Sequence, residues 1–600
     1  MSLDSRSFIP RGFKGLHGYP VSKERQAAAK PLAATLLLLS LFASLAALSP
    51  YNALGDTLTV IQQPLLNIPA IHIPGEALTI TCVAPSSTTG WQAWLVHKHK
   101  SVALEIIHSQ FLNTPDRWEL QALIPSLPVY ELYDLRVTAS GGIDDTTANA
   151  VKVIPTRKSS YYFIHITDLH LPTRIYYPNS GFDSDSTSVN DFRAVIDDIN
   201  LINPEFVLLT GDLLNEGELE GFAGQHWYGW TQRLLEEFEV PCYVTAGNHD
   251  LGGWNSTPPP QGSSRRNWWR YFGWPWLDNP DSNWLLHTQD YDFIYGDIHF
   301  IGLESYDNYD NWRPNIYGGQ SFIYDQIYWL NQRLSLHPDK TRVLFYHYDF
   351  SDQLNLSALG VDLALWGHIH YNSGSVSAYP CNLGTRSVCD GNRSYRVIRV
   401  NGTQLQPLKT IYAGSNSQAL NVIWFPSNTA VADSVAAMFN NNQSVAFEHS
   451  LLKFRMPPGS CSYSVTNGTL LQVDRSDREN ICYVHVDLPA MQSRVVSVSA
   501  QSGTASEDPL QPEIPLILDT WPNPFAASLN INLDTRFAQP RVRIYNLRGA
   551  RIRDLVVSTD GANCVWDGNL ESEQPAPAGI YLLRAETGKN SELRRVVKTR

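Results

Sequence analysis

Apolar and polar positions in the middle of the chain alternate between short strands and longer helices. Residues 161–167 and 206–210 are apolar runs with the length of buried strands, and residues 189–202 between them repeat apolar side chains at helical spacing. Further apolar runs at residues 341–346 and 363–366 continue this rhythm. The alternation predicts an α/β domain with a partly parallel sheet, and ligand sites in such sheets lie beyond the carboxyl ends of the strands.

The regions on either side of this domain lack helical spacing. Short alternating segments separated by turn residues predict a β-sandwich over residues 56–156, an accessory β domain over 418–500 and a last β module over 515–600. The polar stretch 501–514 has the composition of a linker. We therefore expect an α/β domain over residues 157–417 that is flanked by all-β domains.

Residues 1–46 have the pattern of an export signal. Basic residues precede an apolar run at 32–48, and Ser44-Leu45-Ala46 fits a small-x-small cleavage site. The run is short for a membrane span, which needs about 20 apolar residues, so a cleaved signal peptide is favoured over a membrane anchor. The long basic region before the run leaves open a start further along the chain, for example at Val21.

Export would permit disulfides, because oxidising compartments allow them to persist. The chain has seven Cys, so pairing within one chain leaves at least one thiol over. Cys381 and Cys389 flank a short loop that a disulfide could close, and Cys461 and Cys482 flank a predicted hairpin. The sequence leaves the pairing open.

The formal charge of -13 disfavours a broad nucleic-acid footprint, which needs clustered Lys and Arg. We therefore expect no stable nucleic-acid complex. The charge does not exclude a phosphate-bearing substrate, because bound metal ions reverse the sign of the local field.

Five short clusters of metal-type ligands follow apolar runs of the α/β region. They are Asp168-Leu169-His170, Gly211-Asp212, Gly247-Asn248-His249-Asp250, His347 and Gly367-His368-Ile369-His370. Carboxylate, imidazole and amide groups along one sheet edge suit two metal ions. Paired cations neutralise phosphate oxygens and acidify a bridging water, so the pattern predicts phosphoester hydrolysis.

In their order and spacing the five clusters resemble the motifs of the calcineurin-like metallophosphoesterase superfamily, which are D-x-H, G-D, G-N-H-[DE], H and G-H-x-H. The resemblance covers residues 157–415 and implies a four-layer αββα sandwich. It also implies two metal ions, drawn from Mn, Fe and Zn, and a metal-bound hydroxide as the nucleophile. Any one cluster alone has a structural explanation as a polar strand cap, whereas the ordered set of five is specific.

The resemblance assigns a role to each residue. Asp212 would bridge the two ions, and His249 would bind neither but would stabilise the transition state and protonate the leaving oxygen. Asp250 would orient His249 or support the ligands from behind. The remaining ligands would be Asp168, His170 and His370 for metal one, and Asn248, His347 and His368 for metal two.

One departure separates this chain from the purple acid phosphatases of the superfamily. Those enzymes place Tyr three residues after the bridging Asp and Gly in place of the first-motif His. Here these positions hold Asn215 and His170. A tyrosinate–iron charge-transfer site is therefore not expected. Two nearby polar residues match no motif position, and we interpret His165 as structural and Asp349 as a loop acid.

Two aromatic-rich insertions, residues 221–284 and 306–317, are candidates for a substrate wall. The first contains eight Trp and the arginines Arg265, Arg266 and Arg270. Aromatic rings stack on nucleobases and Arg forks bind phosphate, which fits a nucleotide among the possible phosphoester substrates. The favoured alternative is that these Trp pack a small core of the insertion itself.

The C-terminal module contains Trp521-Pro522-Asn523-Pro524-Phe525, Trp566-Asp567-Gly568 and Gly579-Ile580-Tyr581-Leu582. These segments, in spacing and order, resemble the C-terminal sorting domains of the type IX secretion system. The resemblance implies a bacterial protein that passes through the periplasm, meets the outer-membrane secretion machinery and ends secreted or at the cell surface. The alternative is a sandwich module with an adhesive or spacer role.

Together these patterns predict a secreted dinuclear-metal phosphoesterase that hydrolyses phosphomonoesters or phosphodiesters. The alternative is a catalytically inactive surface-exposed binding or adhesion protein built on the same fold. The complete set of ligand positions argues against the alternative, since an inactive site would be expected to lose some of those side chains.

Overall fold

The computed structural model describes most of the chain after residue 58. By its contacts the chain divides into two units, Met1–Gly55 and Asp56–Arg600, and everything described below belongs to the second. The predicted signal peptide, residues 1–46, and residues 502–514 of the predicted linker lie outside the described residues. The described residues are 59–113, 116–172, 187–215, 222–251, 268, 270–273, 289–304, 322, 324–414, 420–501, 516–534, 540–547, 549–559, 561–587 and 590–599. Within these ranges no helix is long and apolar enough to cross a membrane.

Eight strands in the order β1-β3-β6-β5-β4-β7-β8-β2 form the N-terminal β domain. They are β1 (Ile61–Gln63), β2 (Ala70–His72), β3 (Ala77–Cys82), β4 (Gln92–His97), β5 (Lys100–Asn113), β6 (Asp116–Leu123), β7 (Leu132–Ala139) and β8 (Ile143–Val153). The long strand β5 pairs with β4 through its first residues and with β6 through its later ones. Apolar side chains from both parts bury one shared core, as expected for a sandwich.

Two sheets lie at the centre of the α/β domain. The first has the order β11-β10-β9-β17-β18, with β19 paired to β17, and the second has the order β12-β13-β14-β15-β16. Their strands are β9 (Ser160–Ile166), β10 (Val207–Thr210), β11 (Cys242–Thr245), β12 (Tyr291–Tyr295), β13 (Ile298–Gly302), β14 (Thr341–Phe345), β15 (Leu363–Trp366), β16 (Cys381–Gly384), β17 (Ser394–Asn401), β18 (Gln404–Pro407) and β19 (Ile411–Tyr412). The described helices are α1 (Thr187–Ile202), α2 (Phe222–Leu235), α3 (Asn248–Leu251) and α4 (Tyr324–Leu336).

The two sheets pack face to face through an apolar core. Phe163 of the first sheet meets Phe300 of the second edge-on, with ring centroids 5.2 Å apart. On the outer faces, Tyr395 of β17 donates a hydrogen bond to Asp198 of α1, and Leu330 of α4 joins the core beside the second sheet. The domain is therefore the four-layer αββα sandwich that the sequence predicts.

Two further β domains complete the chain. The accessory domain pairs β20-β21-β26-β23 and β22-β25-β24, and the C-terminal domain pairs β27-β28-β31 and β30-β29-β32-β33. In the first, the strands are β20 (Leu420–Phe425), β21 (Ser434–Asn441), β22 (Phe447–Met456), β23 (Ser462–Thr466), β24 (Thr469–Arg475), β25 (Asn480–Leu488) and β26 (Gln492–Gln501). In the second, they are β27 (Ile517–Trp521), β28 (Leu529–Leu533), β29 (Arg541–Asn546), β30 (Arg551–Leu555), β31 (Asn563–Trp566), β32 (Gly579–Thr587) and β33 (Asn590–Lys598).

An ionic cluster joins three of the domains. Glu131 of the N-terminal domain lies 2.7 Å from the ammonium of Lys453 in the accessory domain, which also lies 3.0 Å from Glu239 of the α/β domain. Burial by itself would raise the pKa of Glu131, but Lys152 and Lys453 hold it well below the usual range. The accessory domain is thus docked on the N-terminal domain through a buried Glu131–Lys453 pair, where removing one partner costs roughly 3–5 kcal/mol. Glu239 is exposed and contributes less.

Candidate metal centre

Strand register brings the five motif clusters to one edge of the two sheets. In the first sheet β10 runs parallel to β9 and to β11, with Thr210 opposite Thr245. In the second sheet β14 runs parallel to β15, with Phe345 opposite Leu365. Each cluster begins one or two residues after one of these strands ends. The placement beyond the carboxyl ends is the one that the sequence predicts.

The backbone of the centre is strained. A positive φ is rare in a residue other than Gly and raises the free energy by about 1–3 kcal/mol when the structure enforces it. Five candidate ligands have a positive φ: Asp168 (56°), His170 (47°), Asp212 (51°), His368 (69°) and His370 (58°). Strain concentrated in this way is typical of functional sites, where side-chain placement takes precedence over stability.

Two motif glycines are required by close backbone approach. A Cβ at Gly247 would clash with the backbone nitrogen of Asp212, which belongs to the neighbouring cluster. A Cβ at Gly367 would clash with the hydroxyl of Thr167, directly before Asp168. The glycines therefore let the loops touch, and this contact is what draws the polar side chains together.

One group of donor atoms forms around Asp168. Its Oδ1 lies 3.3 Å from Nε2 of His370 and 4.0 Å from Nε2 of His170. The two Nε2 atoms lie 3.0 Å apart. A carboxylate oxygen and two imidazole nitrogens within 4.0 Å of one another suit a cation. These are the three residues expected to hold metal one.

A second group forms around Asn248. Its side-chain oxygen lies 3.1 Å from Nε2 of His347 and 2.9 Å from Nδ1 of His368. These two ring nitrogens lie 3.3 Å apart. The second group contains the three residues expected to hold metal two, and it has the amide oxygen of Asn248 where the first group has a carboxylate.

Asp212 lies between the two groups. Its Oδ2 is 3.5 Å from Nε2 of His170 in the first group and 3.1 Å from Nε2 of His347 in the second. Its Oδ1 accepts a hydrogen bond of 2.9 Å from the backbone N–H of His249. The structure thus places one carboxylate oxygen within reach of both groups, where a bridging ligand is expected.

Hydrogen bonds on the far side of the rings fix their orientation. His347 donates through Nδ1 to the carbonyl of Thr210 at 2.7 Å, and Nδ1 of His170 lies 3.2 Å from Oδ1 of Asn215. Nδ1 of His370 lies 3.0 Å from the carboxylate of Asp390. Such partners set which ring nitrogen faces a metal.

Asp390 is a residue that the motif pattern misses. It lies in the loop after β16, twenty positions beyond His370, and matches no motif. The same loop is tied to the first cluster, because the N–H of Cys389 donates to the carbonyl of Asp168 at 3.1 Å. The position of Asp390 in the sequence does not indicate this contact, because only the fold brings its loop against the His370 ring.

His249 and Asp250 have different surroundings. Nδ1 of His249 donates to the carbonyl of Asn215 at 2.6 Å, and its ring meets the His170 ring edge-on at 4.7 Å. The Asp250 carboxylate accepts from the backbone N–H groups of Leu213, Leu214 and Gly247. Of the two roles expected for Asp250, its contacts fit the support of the motif loops, while the carbonyl of Asn215 orients His249.

Burial and charge set the protonation states of the ligands. Burial alone would raise the pKa of Asp168, but His370 brings it down to about 2. Burial lowers the pKa of His368 to about 4 and holds that of His170 well below its usual range. Burial acts in the same direction on the other two rings, but Asp212 raises the pKa of His347 to about 9 and Asp168 raises that of His370 well above its usual range. These two rings would release a proton on binding a cation, since a metal-bound imidazole is neutral.

Three further expectations concern His165, Asp349 and the cysteines. His165 is buried and its ring bonds Thr385 and Thr210, and Asp349 accepts a hydrogen bond from Asn382 of β16. All seven thiols are free, so the loop between Cys381 and Cys389 is not closed by a disulfide. The Cys389 sulfur instead lies 3.7 Å from Nδ1 of His370.

Most of the two aromatic insertions, with Arg265, Arg266 and all of residues 306–317, lies outside the described residues. Trp268 is described and fully buried, and its N–H donates to Gln289 at 2.8 Å. Trp227 and Trp230 pack against each other with centroids 5.1 Å apart. Trp268 therefore packs in a core, as the favoured alternative expects.

Comparison with protein families decides what the α/β domain is. Residues 161–372 match the model described as calcineurin-like phosphoesterase. This part of the chain belongs to that family. Residues 519–599 match the secretion system C-terminal sorting domain, which indicates secretion or display at the cell surface.

Two curated relatives share parts of the sequence. The "Probable cyclic nucleotide phosphodiesterase" of Moraxella catarrhalis (strain BBH18) is 30% identical over 96 residues, which are 16% of this chain and 30% of the relative. The "Uncharacterized protein YvnB" of Bacillus subtilis (strain 168) is 25% identical over 238 residues, which are 36% of this chain and 16% of the relative. The chain thus spans less than a third of either relative.

Solved structures superpose on the chain only loosely. The purple acid phosphatase PPD1 from yellow lupin has a TM-score of 0.32 at 10% identity, covering 61% of this chain and 70% of that chain. A dimetal phosphatase from Danio rerio has a TM-score of 0.31 at 15% identity, covering 42% of this chain and 99% of that chain. At such scores neither superposition bears on the site.

Proposed function

We propose that the chain is a secreted phosphoesterase whose active site holds two divalent or trivalent cations, drawn from Mn, Fe and Zn. The observation that carries the proposal is the Oδ2 atom of Asp212, which lies within 3.5 Å of His170 and 3.1 Å of His347. One carboxylate oxygen shared by two convergent donor groups suits a pair of cations held close together.

The bound cations would neutralise the phosphate oxygens and lower the pKa of water at the site. The protein itself supplies the proton for the leaving oxygen through His249. Because the carbonyl of Asn215 only accepts hydrogen bonds, Nδ1 of His249 carries a proton and Nε2 remains for proton transfer. The backbone N–H of His249 bonds Asp212, so proton donor and bridging ligand keep a fixed distance.

The substrate is a phosphomonoester or phosphodiester, with nucleotides within the class. The curated relative named as a probable cyclic nucleotide phosphodiesterase supports testing diesters first. Against the alternative of an inactive binding protein stand the complete donor groups and the positive φ of five ligands. Strain of this kind lowers stability and has no evident benefit for a protein that does no chemistry.

The experiment pairs metal analysis with turnover. Purified protein is dialysed against a chelator, reloaded with Mn, Fe or Zn, and assayed on p-nitrophenyl phosphate and bis-p-nitrophenyl phosphate. We expect two metal ions per chain and hydrolysis of at least one ester. A folded protein that binds no metal and hydrolyses neither ester would overturn the proposal and support a binding role.

We also propose export through the periplasm, with residues 1–46 as the signal peptide and residues 515–600 as the sorting domain that meets the outer-membrane secretion machinery. The family match of residues 519–599 supports the second part. Deleting residues 515–600 in a host with this secretion system should hold the protein in the periplasm. Unchanged surface display of the truncated chain would contradict the assignment.

A further inference from the structure

A cavity of about 330 Å³ lies in the phosphoesterase domain beside the loop after β16. Its lining includes the side chains of Arg386, Asn392, Arg393 and Tyr412. The volume is at the lower end of the range for small-molecule sites, roughly 300–1,000 Å³. No motif of the family places a residue in this cavity, so a ligand there would add to the metal centre.

The two arginines of the cavity differ in charge compensation. Nε of Arg393 donates to Asp191 at 2.7 Å, and the same carboxylate accepts from the N–H of Gly391. Arg386 is half-buried, and across the described ranges no carboxylate lies within salt-bridge distance of its guanidinium. Its guanidinium carbon lies 5.9 Å from the ring centre of Tyr412. The cavity thus holds one uncompensated positive charge against an aromatic ring.

The backbone around Arg386 is fixed. Its N–H donates to the side-chain oxygen of Asn372 at 3.1 Å, and the same oxygen accepts from the Thr410 hydroxyl. Further along the loop, Gly391 follows Asp390, whose carboxylate contacts His370. The backbone of Arg386 is therefore fixed at the edge of the cavity. The cavity also borders the loop whose Asp390 contacts the proposed metal ligand His370.

We propose that this cavity binds a phosphate-type oxyanion through the guanidinium of Arg386. A guanidinium offers a planar fork that matches two oxygens of such an anion. The ring of Tyr412 restricts the fork, which reduces the entropy lost on binding. The anion has two possible sources, a second phosphate group on the substrate or free phosphate.

The direct test is calorimetric titration of inorganic phosphate into metal-free protein, so that it does not depend on turnover. We expect one phosphate per chain, with affinity at least tenfold weaker in Arg386→Gln, because the variant loses a charge-assisted hydrogen bond to the anion. Arg386→Lys keeps the charge without the fork and should bind with intermediate affinity. Circular dichroism confirms that each variant is folded.

Arg475→Gln is the matched control, because Arg475 also lies over a tyrosine ring, at 5.8 Å from the Tyr463 centre, but belongs to the accessory domain. Its phosphate affinity should equal that of the wild type. Equal affinity in Arg386→Gln, or no phosphate binding by folded wild-type protein, would overturn the proposal whether or not the enzyme hydrolyses esters.

Comparing the KM values of two substrates with metal-loaded enzyme distinguishes the two sources of the anion. They are the p-nitrophenyl esters of thymidine 5′-phosphate with and without a 3′-phosphate. A lower KM for the 3′-phosphorylated ester that disappears in Arg386→Gln supports a second phosphate on the substrate. Equal KM values together with Arg386-dependent binding of free phosphate support the free anion.

Discussion

The two halves of the proposed metal centre share Asp212 but differ in charge. The first half contributes the carboxylate of Asp168, and the Asp390 carboxylate lies behind its His370 ring at 3.0 Å. The second half contributes the neutral amide of Asn248, and a backbone carbonyl lies behind its His347 ring. Anionic ligands favour hard and more highly charged cations. The first half should therefore bind its cation more tightly, and the second should release its cation first.

The largest effect is expected from Asp212→Asn, which alters both halves at once. The amide carries no charge, so both cations should be held weakly and turnover should fall by more than the roughly 100-fold typical of supporting residues. Metal content after dialysis and turnover of the better ester are the measurements. Asp349→Asn, in a nearby loop, should retain both metals. Two tightly held ions in Asp212→Asn would contradict the bridging role.

Replacing His249 by Ala should leave both halves intact. We expect two ions per chain and a loss of about 10²–10⁴ in kcat, the range for a general acid. The loss should shrink for esters with good leaving groups, such as p-nitrophenolate, because those need no proton. His108→Ala, at an exposed position of β5, should have no effect. Loss of a metal ion from His249→Ala would show that His249 is a ligand instead.

Asp390→Ala should weaken the first half alone. Removing a carboxylate behind a metal-bound imidazole reduces metal affinity by about 10–100-fold. Asp390→Asn should restore part of the affinity, since its side-chain oxygen can still accept from Nδ1 of His370. Stepwise titration with Mn, followed by electron paramagnetic resonance, separates the two sites. Asp352→Asn, at an exposed position, is the control and should leave both metal affinities unchanged. Equal weakening of both sites in Asp390→Ala would show that Asp390 acts only through overall folding.

The smallest effect is expected from Asn248→Asp, which makes the second half resemble the first. The added charge should raise affinity for the second cation by about tenfold, since ligand charge tunes metal affinity. The same titration should then show two sites of similar affinity. An unchanged difference in metal affinity between the two sites would indicate that ligand charge does not cause that difference.

The sequence predicts the parts of the centre that depend on local pattern. Strand ends follow from apolar runs, and all seven proposed ligands lie at those ends. The supporting contacts depend on packing between distant segments. The approach of Asp390 to His370 and the ionic cluster around Lys453 arise only when loops and domains dock, so no spacing indicates them. Asp and His adopt a positive φ more readily than most residues, but no sequence pattern indicates that Asp168 and His368 do so.

The most direct test of the two-metal centre is anomalous diffraction from crystals of metal-loaded protein, with data on both sides of the absorption edge. We expect two peaks, one among Asp168, His170 and His370 and the other among Asn248, His347 and His368, with the Asp212 carboxylate in contact with both. A single peak, or two peaks that do not share Asp212, would contradict the account.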